Sequence, residues 1–516
     1  MWILPGILEN KIESIILREM PDSRFDKIDV DLYQNTLNLS KWHGALPIHI
    51  ASLHTITGSI SQVQIKNIHW WDLLKNHIHL DSLTINQPVF QIWMRDTSDV
   101  VDYSTTRTPK SQQKLLQIDQ IYLHQGSINV LRKTDSLSLY SAESVDGQLN
   151  KVLINLGKDT PGRNDRYESF NFDISCIEIL DDRRLHLLSI AGLNSRSEDS
   201  TLEISLFEMH PIWSTSDFNQ KISKQTNEVN IVLPKVLIHG INYNRLKERT
   251  FTSREIVIPQ FLLDNLVDKN IDKSVHESTS LPQQELANLN YRINVDSVSL
   301  SNGTLIYSEL IPERTKAGEV SFHKINAKLK KITNDSTRFD QLKNIDLTVS
   351  AELFDDAPVH LNVQIPLAET PWDYYLRGTL GNFDLRKANG IVEPAVLMYF
   401  KSGQVSELSF EATANPVEAR GSMEFFYRDL DIDFRQKKFS KKIRNALVEA
   451  FVFPQENIKT KKHNLAKIYC RRDNKKSVFN YLWTMVFSGI QSTMMPNILL
   501  PPELKHERVS PEHTDH

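Results

Sequence analysis

The chain has 516 residues and a formal net charge of −4, from 60 Lys and Arg against 64 Asp and Glu. That balance excludes nucleic acid as the main partner, because a phosphate-binding chain is normally basic. Cys176 and Cys470 are the only cysteines, which excludes a disulfide framework, while 40% hydrophobic and 24% charged residues fit a folded globular protein.

Met1 to Leu8 is apolar but far short of the ~20 residues that cross a bilayer. It also lacks the basic region and cleavage site of a signal peptide. Two readings stand, the tail of a membrane anchor or a short buried start, and the first is preferred. Ile12, Ile15, Ile16 and Met20 recur at helical spacing, so residues 1–20 form an amphipathic helix or the remnant of an anchor. From Ile28, Val30 and Leu32 onward the pattern is strand, turn, strand, and residues 21–434 are expected to be one β domain without helices of ordinary length.

One stretch organises that domain. Val295 to Tyr307 (VDSVSLSNGTLIY) places Asn302-Gly303, a strong two-residue hairpin signal, between alternating apolar residues. A turn there sets Val298, Leu300, Leu305 and Tyr307 on one face. The same design recurs three times. Leu83 and Ile85 face Phe90 and Ile92 around Gln87-Pro88, and Ile121 and Leu123 face Ile128 and Val130 around Gln125-Gly126. Ile238 and Ile241 flank His239-Gly240. Three of these units open with a tag, Leu80-Asp81-Ser82, Ile118-Asp119-Gln120 and Val295-Asp296-Ser297, at unequal intervals. Each hairpin has one greasy side that something must cover.

Between the units, residues 104–113, 157–166, 194–201 and 268–283 are polar and read as loops. His69, His77 and His79, and upstream His43, His49 and His54, could share strand faces and bind a metal. No carboxylate or cysteine clearly completes either set, so no metal site is assigned. Adjacent Trp70 and Trp71 read as core and strand edge rather than a binding pair.

After Phe434 the pattern changes. Phe439, Ile443, Ala446, Leu447, Ala450 and Phe451 recur at helical spacing. Ala466 to Cys470 is a short strand. Ser477 to Met495 is a greasier helix with a polar stripe of Asn480, Thr484, Ser488 and Ser492, as of a helix half embedded in something apolar. Arg435 to Lys476 holds fourteen Lys or Arg against three acids. Residues 435–500 are therefore a small basic helical cap, and Lys437, Lys438, Lys441, Lys442, Arg444, Lys461, Lys462, Arg471 and Arg472 are candidates to dock on an anionic membrane surface or acidic partner. Residues 501–516 read as a disordered tail.

No nucleophile elbow, P-loop, dinucleotide-binding loop, zincin motif or CxxC pair occurs. Asp181-Asp182 and Asp355-Asp356 are adjacent on strands or in turns, where neighbouring side chains diverge, so neither is a catalytic pair. No catalytic residue and no cofactor is expected.

Residues 374–434 resemble the C-terminal region of bacterial AsmA-like proteins. The likeness rests on Gly378-Thr379-Leu380 before Leu385, on Ser402-Gly403-Gln404-Val405, and on Gly421 with the Tyr427-Arg428-Asp429-Leu430 run. The N-terminal helix followed by residues 28–39 is similar to that family's opening. The resemblance implies a mainly β fold, a long, twisted antiparallel sheet curled into an open groove with an apolar interior. It also implies a bridge-like lipid-transfer function, non-enzymatic, at the periplasmic side of the bacterial inner membrane, with envelope proteins as possible partners. A sheet with one apolar face must hide it, here against a second sheet or against acyl chains. The expected groove lining is then the full set of apolar hairpin residues, with phospholipid or another acyl lipid as the occupant. The alternative is a non-catalytic structural β-sandwich of the envelope.

Overall fold

A computed structural model describes residues 4–46, 54–69, 77–94, 115–155, 166–222, 225–271, 279–310, 317–367, 373–396, 398–434 and 454–510. The fold is mainly β, and its 23 described strands belong to one mixed sheet. Contacts divide the chain into two units, residues 1–212 with 235–237, and residues 213–234 with 238–516, where a single domain over 21–434 was expected.

The first unit opens with α1 (Leu4–Glu19), whose Glu9 carboxylate accepts the backbone N–H of Val30 at 3.0 Å. Nine strands follow: β1 (Lys27–Asp31), β2 (Thr36–Leu46), β3 (His54–Ile68), β4 (His77–Met94), β5 (Leu115–Arg132), β6 (Ser138–Asn155), β7 (Ser169–Leu180), β8 (His186–Arg196) and β9 (Thr201–Pro211). Neighbours in sequence pair antiparallel, except β4 and β5, which run parallel. A parallel pair requires a connection of a dozen or more residues, and 20 residues separate the end of β4 from the start of β5 in the sequence. The sheet is thus mixed, not purely antiparallel as expected.

The predicted hairpins are a second correction. Gln87-Pro88 and Gln125-Gly126 lie inside β4 and β5, each of which is one unbroken strand of 18 residues. A type I′ turn needs positive φ at both central residues. Here only the first has it, 48° at Gln87 and 50° at Gln125, while Gly126 stays out of that region. Pro88 could never enter it. These positions are kinks within strands. They align across the ladder with Lys41 (φ 48°) in β2, Ser144 (φ 50°) in β6 and Gly192 (φ 64°) in β8, which makes a crease across the sheet.

A second crease explains the aspartate tag. Asp81 lies opposite Asn67 (φ 53°), and Asp119 lies opposite Lys151 (φ 49°). Around this line the alternation of side chains shifts by one residue. Ile65 and Ile68, Leu80 and Leu83, Ile118 and Ile121, and Leu149 and Val152, each three apart, all pack into one apolar cluster. Regular pleating would send every such pair to opposite faces. The tag and the false turn, six residues apart, are two bends of one strand.

A β-branched residue at a crease should therefore be costly. A bulky side chain at φ near 50° costs ~1–2 kcal/mol. Gln125→Val is expected to lower stability by about that amount in a denaturant titration, although valine favours ordinary strands, and Gln125→Gly is not.

The remaining strands are β10 (Glu228–Leu233), β11 (Val236–His239), β12 (Thr250–Ile258), β13 (Phe261–Asp268), β14 (Arg292–Leu310), β15 (Gly318–Thr333), β16 (Asn344–Leu353), β17 (Ala357–Pro366), β18 (Tyr374–Leu380), β19 (Phe383–Asp384), β20 (Met398–Ala414), β21 (Glu418–Phe434), β22 (His463–Arg471) and β23 (Glu507–Val509). β12 and β13 run parallel to the two halves of β14, and β14 through β18, then β20 through β23, pair antiparallel. The second unit therefore repeats the plan of the first, a parallel pair and then an antiparallel run. Its creases are at Asn302 (φ 45°) and Lys324 (φ 48°), and at Lys331 (φ 61°) opposite Asp296. Asn302-Gly303 is again mid-strand and not a turn. The fourth predicted hairpin fails differently. β11 ends at His239, Gly240 takes φ 71°, and a helical turn at Tyr243–Leu246 follows.

Real turns are where the acidic doublets stand. Phe354 and Asp355 have consecutive positive φ between β16 and β17. Asp181 accepts the N–H groups of Leu185 and His186 at 2.6 and 3.1 Å between β7 and β8.

Two helices of the second unit flank its sheet, α2 (Asn389–Val396) and α3 (Val478–Met494). Residues 501–510, expected as tail, carry a 3₁₀ turn at Pro502–Leu504 and the strand β23. The helix predicted around Phe439 to Phe451 and the Trp70-Trp71 pair lie outside the described residues.

Candidate apolar ligand site

The second unit has two unlike faces. On one, Lys328, Lys330, Asn362, Gln364, Arg377, Glu411 and Arg420 make a polar surface. On the other, alternate residues of the same strands are apolar. Mid-strand glycines let phenylalanines from the paired strand lie flat across the ladder. Phe261 covers Gly303 and Phe410 covers Gly378, and a Cβ on either glycine would meet the ring within 2.3 Å. The first unit uses the same device, with Phe90 over Gly58 and Phe172 over Gly147.

α3 lies on the apolar face. Ser477 caps it by accepting the N–H of Asn480 at 3.2 Å. Gly489 approaches the sheet so closely that a Cβ there would sit 2.7 Å from the end of Met423. Of the polar stripe predicted for this helix, Ser488 and Ser492 are buried, while Asn480 and Thr484 are half-buried. β22 pairs with β21 along its inner edge but with β23 only at His463–Leu465. Ser492 Oγ accepts the N–H of Lys467 at 3.0 Å and Ser488 Oγ that of Tyr469 at 3.2 Å, so these two residues of the stripe cap an open strand edge. Ser492 also donates to the carbonyl of Leu504 at 2.6 Å.

The apolar side of α3 does not seal onto the sheet. Between them lies a cavity of about 660 Å³, floored by Leu305, Phe322, Leu361, Leu376 and Leu408 and roofed by Ile391 and Val392 of α2 and Leu482, Met485, Val486 and Ile490 of α3. Phe322 and Ile325 both face it across the Lys324 kink, again three residues apart. Among the described lining residues no aspartate, glutamate, lysine or arginine occurs. Trp483, 40% exposed and stacked on Phe487 at 6.1 Å, stands at the rim. Tyr307 packs on Phe479 of α3 at 4.6 Å and donates to the buried Glu309 carboxylate at 2.6 Å. Burial, then that carboxylate, push the Tyr307 hydroxyl well above its ordinary range, so it stays a donor.

Of the predicted lining residues, Leu305 lines this cavity and Tyr307 meets its helical roof, while Val298 and Leu300 lie half-buried beyond the Asn302 kink. Ile238 is half-buried and Ile241 is buried, off any hairpin. In the first unit the parallel register sets Leu83 beside Ile121, Ile85 beside Leu123, Phe90 beside Ile128 and Ile92 beside Val130. These are half-buried, and Ile128 is exposed. The only described helix of that unit is α1. The α2 roof escaped the sequence reading, although Asp384, whose carboxylate accepts the N–H of Arg386 at 2.9 Å and caps the 3₁₀ turn Leu385–Ala388 that leads into α2, was a usable start signal.

The predicted docking surface is divided. Lys437, Lys438, Lys441, Lys442 and Arg444 lie outside the described residues. Lys461 pairs with Glu456 at 2.8 Å and Lys462 is exposed. Arg471, which is exposed, donates to the Tyr469 hydroxyl at 3.3 Å, and Arg472 donates to the carbonyl of Thr279.

What these features define is a single-sheet β protein with an apolar pocket under a helical roof. No family model matches the chain, and no curated protein does. No described helix is long and apolar enough to cross a membrane.

Proposed function

We propose that the protein holds acyl lipid against the apolar face of its sheet and carries or conducts it between membranes. One observation carries this reading, the apolar cavity beneath α3. Its 660 Å³ lies within the ~300–1,000 Å³ of small-molecule sites. Polar sites fill with water, but apolar cavities stay dry and accept apolar guests. Each methylene withdrawn from water contributes ~0.8 kcal/mol, so ten offer roughly 8 kcal/mol before the cost of ordering the chain. A head group remains in water at the rim.

The aligned creases support the rest. Bends at matching positions of successive strands curl a sheet across its strands, which favours a groove with the apolar residues inside. The resemblance to AsmA-like proteins extends the reading to phospholipid, at the periplasmic side of the inner membrane, in support of the outer membrane. The chain then makes and breaks no bonds. Burial pushes the Cys470 thiol up to about 11, away from the reactive thiolate.

Titration with a fluorescent long-chain fatty acid tests the proposal. Saturable binding, displaced by unlabelled fatty acid, is expected. Absence of saturable binding would leave the non-catalytic structural protein as the better description.

A further inference from the structure

The histidines of the first unit have no part in the lipid reading, and the fold completes them. β4 carries His77, His79 and Asp81 at alternate positions (His-Ile-His-Leu-Asp), so all three share a face. His69, just beyond β3, is bound to β4 by its backbone N–H, which donates to the carbonyl of His79 at 3.0 Å. The two imidazoles consequently stack, with centroids 4.1 Å apart and planes 11° from parallel. His77 stacks in turn on His79 at 6.0 Å.

The crease brings up the carboxylates, Asp81 from β4 itself and Asp119 from β5 through the strand register. Asp81 Oδ1 lies 2.7 Å from His69 Nε2, and the Asp119 oxygens lie 3.2 and 3.3 Å from His79 Nε2. Donor atoms of His69, His79 and Asp81 all fall within 4.8 Å of one another. Gln117 reaches His79 Nε2 at 3.2 Å from the same side as Asp119. His77 Nε2 is shielded from solvent and makes no hydrogen bond among the described residues.

The crease itself does not need this chemistry. At the equivalent aspartate of the second unit, Asp296, the facing group is the Arg338 guanidinium, 3.9 Å away. Two imidazoles and two carboxylates from three consecutive strands are instead the donor set of a transition-metal ion. Imidazole nitrogen selects zinc, nickel or copper over magnesium and calcium, and two carboxylates neutralise a divalent charge.

We propose that His69, His79, Asp81 and Asp119 form a surface site for one divalent ion of the zinc type, which fastens β3, β4 and β5 together at the aspartate crease. Binding exchanges the two imidazole–carboxylate hydrogen bonds for metal bonds, and the proton on each Nε2 passes to Nδ1 of its ring or to solvent. Because ligands lie in the plane of an imidazole, the stacked rings must fan apart by side-chain rotation as the ion enters. The side chains of His69 and Asp81, each 43% accessible, leave room for that.

The test is calorimetric titration of the tag-free full chain with zinc chloride, beside magnesium chloride. One tightest site per chain is expected for zinc and none for magnesium. His69→Ala and His79→Ala should each weaken that site at least tenfold, with Asp296→Asn leaving it unchanged. Far-UV circular dichroism of each variant confirms folding, and Asp81→Asn is a third, milder change with the same expected direction. Zinc binding that survives both histidine changes in folded protein, or that magnesium matches, would overturn the proposal.

Discussion

Val486→Trp should weaken fatty-acid binding at least tenfold and leave the protein folded. Val486 stands on the cavity side of α3, half-buried, and an indole there occupies space that a guest would otherwise fill. Tenfold corresponds to about 1.4 kcal/mol, less than the burial of two methylenes at ~0.8 kcal/mol each, so displacing even part of an acyl chain suffices. A large side chain entering a cavity need not strain the core as it would in a packed one. Ile490→Trp, one helical turn further along, should act alike. Tyr375→Ala, on the polar face of the sheet, should do nothing to binding. If the tryptophan variants melt normally and bind as well as the wild type, the guest does not lie under α3.

The second large effect is on stability. Ser492 is fully buried, and its hydroxyl joins the Lys467 N–H to the Leu504 carbonyl. Ser492→Ala leaves both backbone groups unpaired in the interior. Each such loss costs roughly 1–3 kcal/mol, so a total of about 3 kcal/mol is expected. Thr484 belongs to the same predicted stripe but only donates to the carbonyl of Asn480 within its own helix, at 2.8 Å. Thr484→Ala should change stability by less than ~0.5 kcal/mol. Urea unfolding of the two variants distinguishes a capped strand edge from a decorative polar stripe. Equal effects would contradict the edge-capping role.

The stripe also shows what a sequence can and cannot convey. Its spacing located α3 correctly, and its amphipathic character was real. What the hydroxyls faced was not legible, because a helix pattern carries no information about a strand edge formed earlier in the chain. The repeated unit Val295 to Tyr307 behaves in the same way. Its recurrence was visible, and so was the common face of Leu83 and Ile121. The Asn-Gly and Gln-Gly pairs were misread because positive φ serves a kink as well as a turn, and only pairing on both flanks decides between them. Parallel pairing of β4 with β5 could not be seen either, since it depends on the crossover and not on the strands.

The metal donors were half legible for a related reason. His69, His77 and His79 were apparent as strand neighbours. Asp81 and Asp119 looked like part of a repeat tag, and only the register of three strands turns a tag into ligands. The cavity itself left no trace in the sequence beyond ordinary apolar alternation. A residue that lines a void and one that fills a core obey the same pattern.

The central claim is that the apolar face holds lipid, and organic extraction of gently purified full-length protein, with quantitative mass spectrometry, tests it most directly. At least one acyl lipid per chain is expected, reduced severalfold in Val486→Trp. Protein that emerges folded and free of lipid, and takes up none when incubated with phospholipid vesicles, would contradict it.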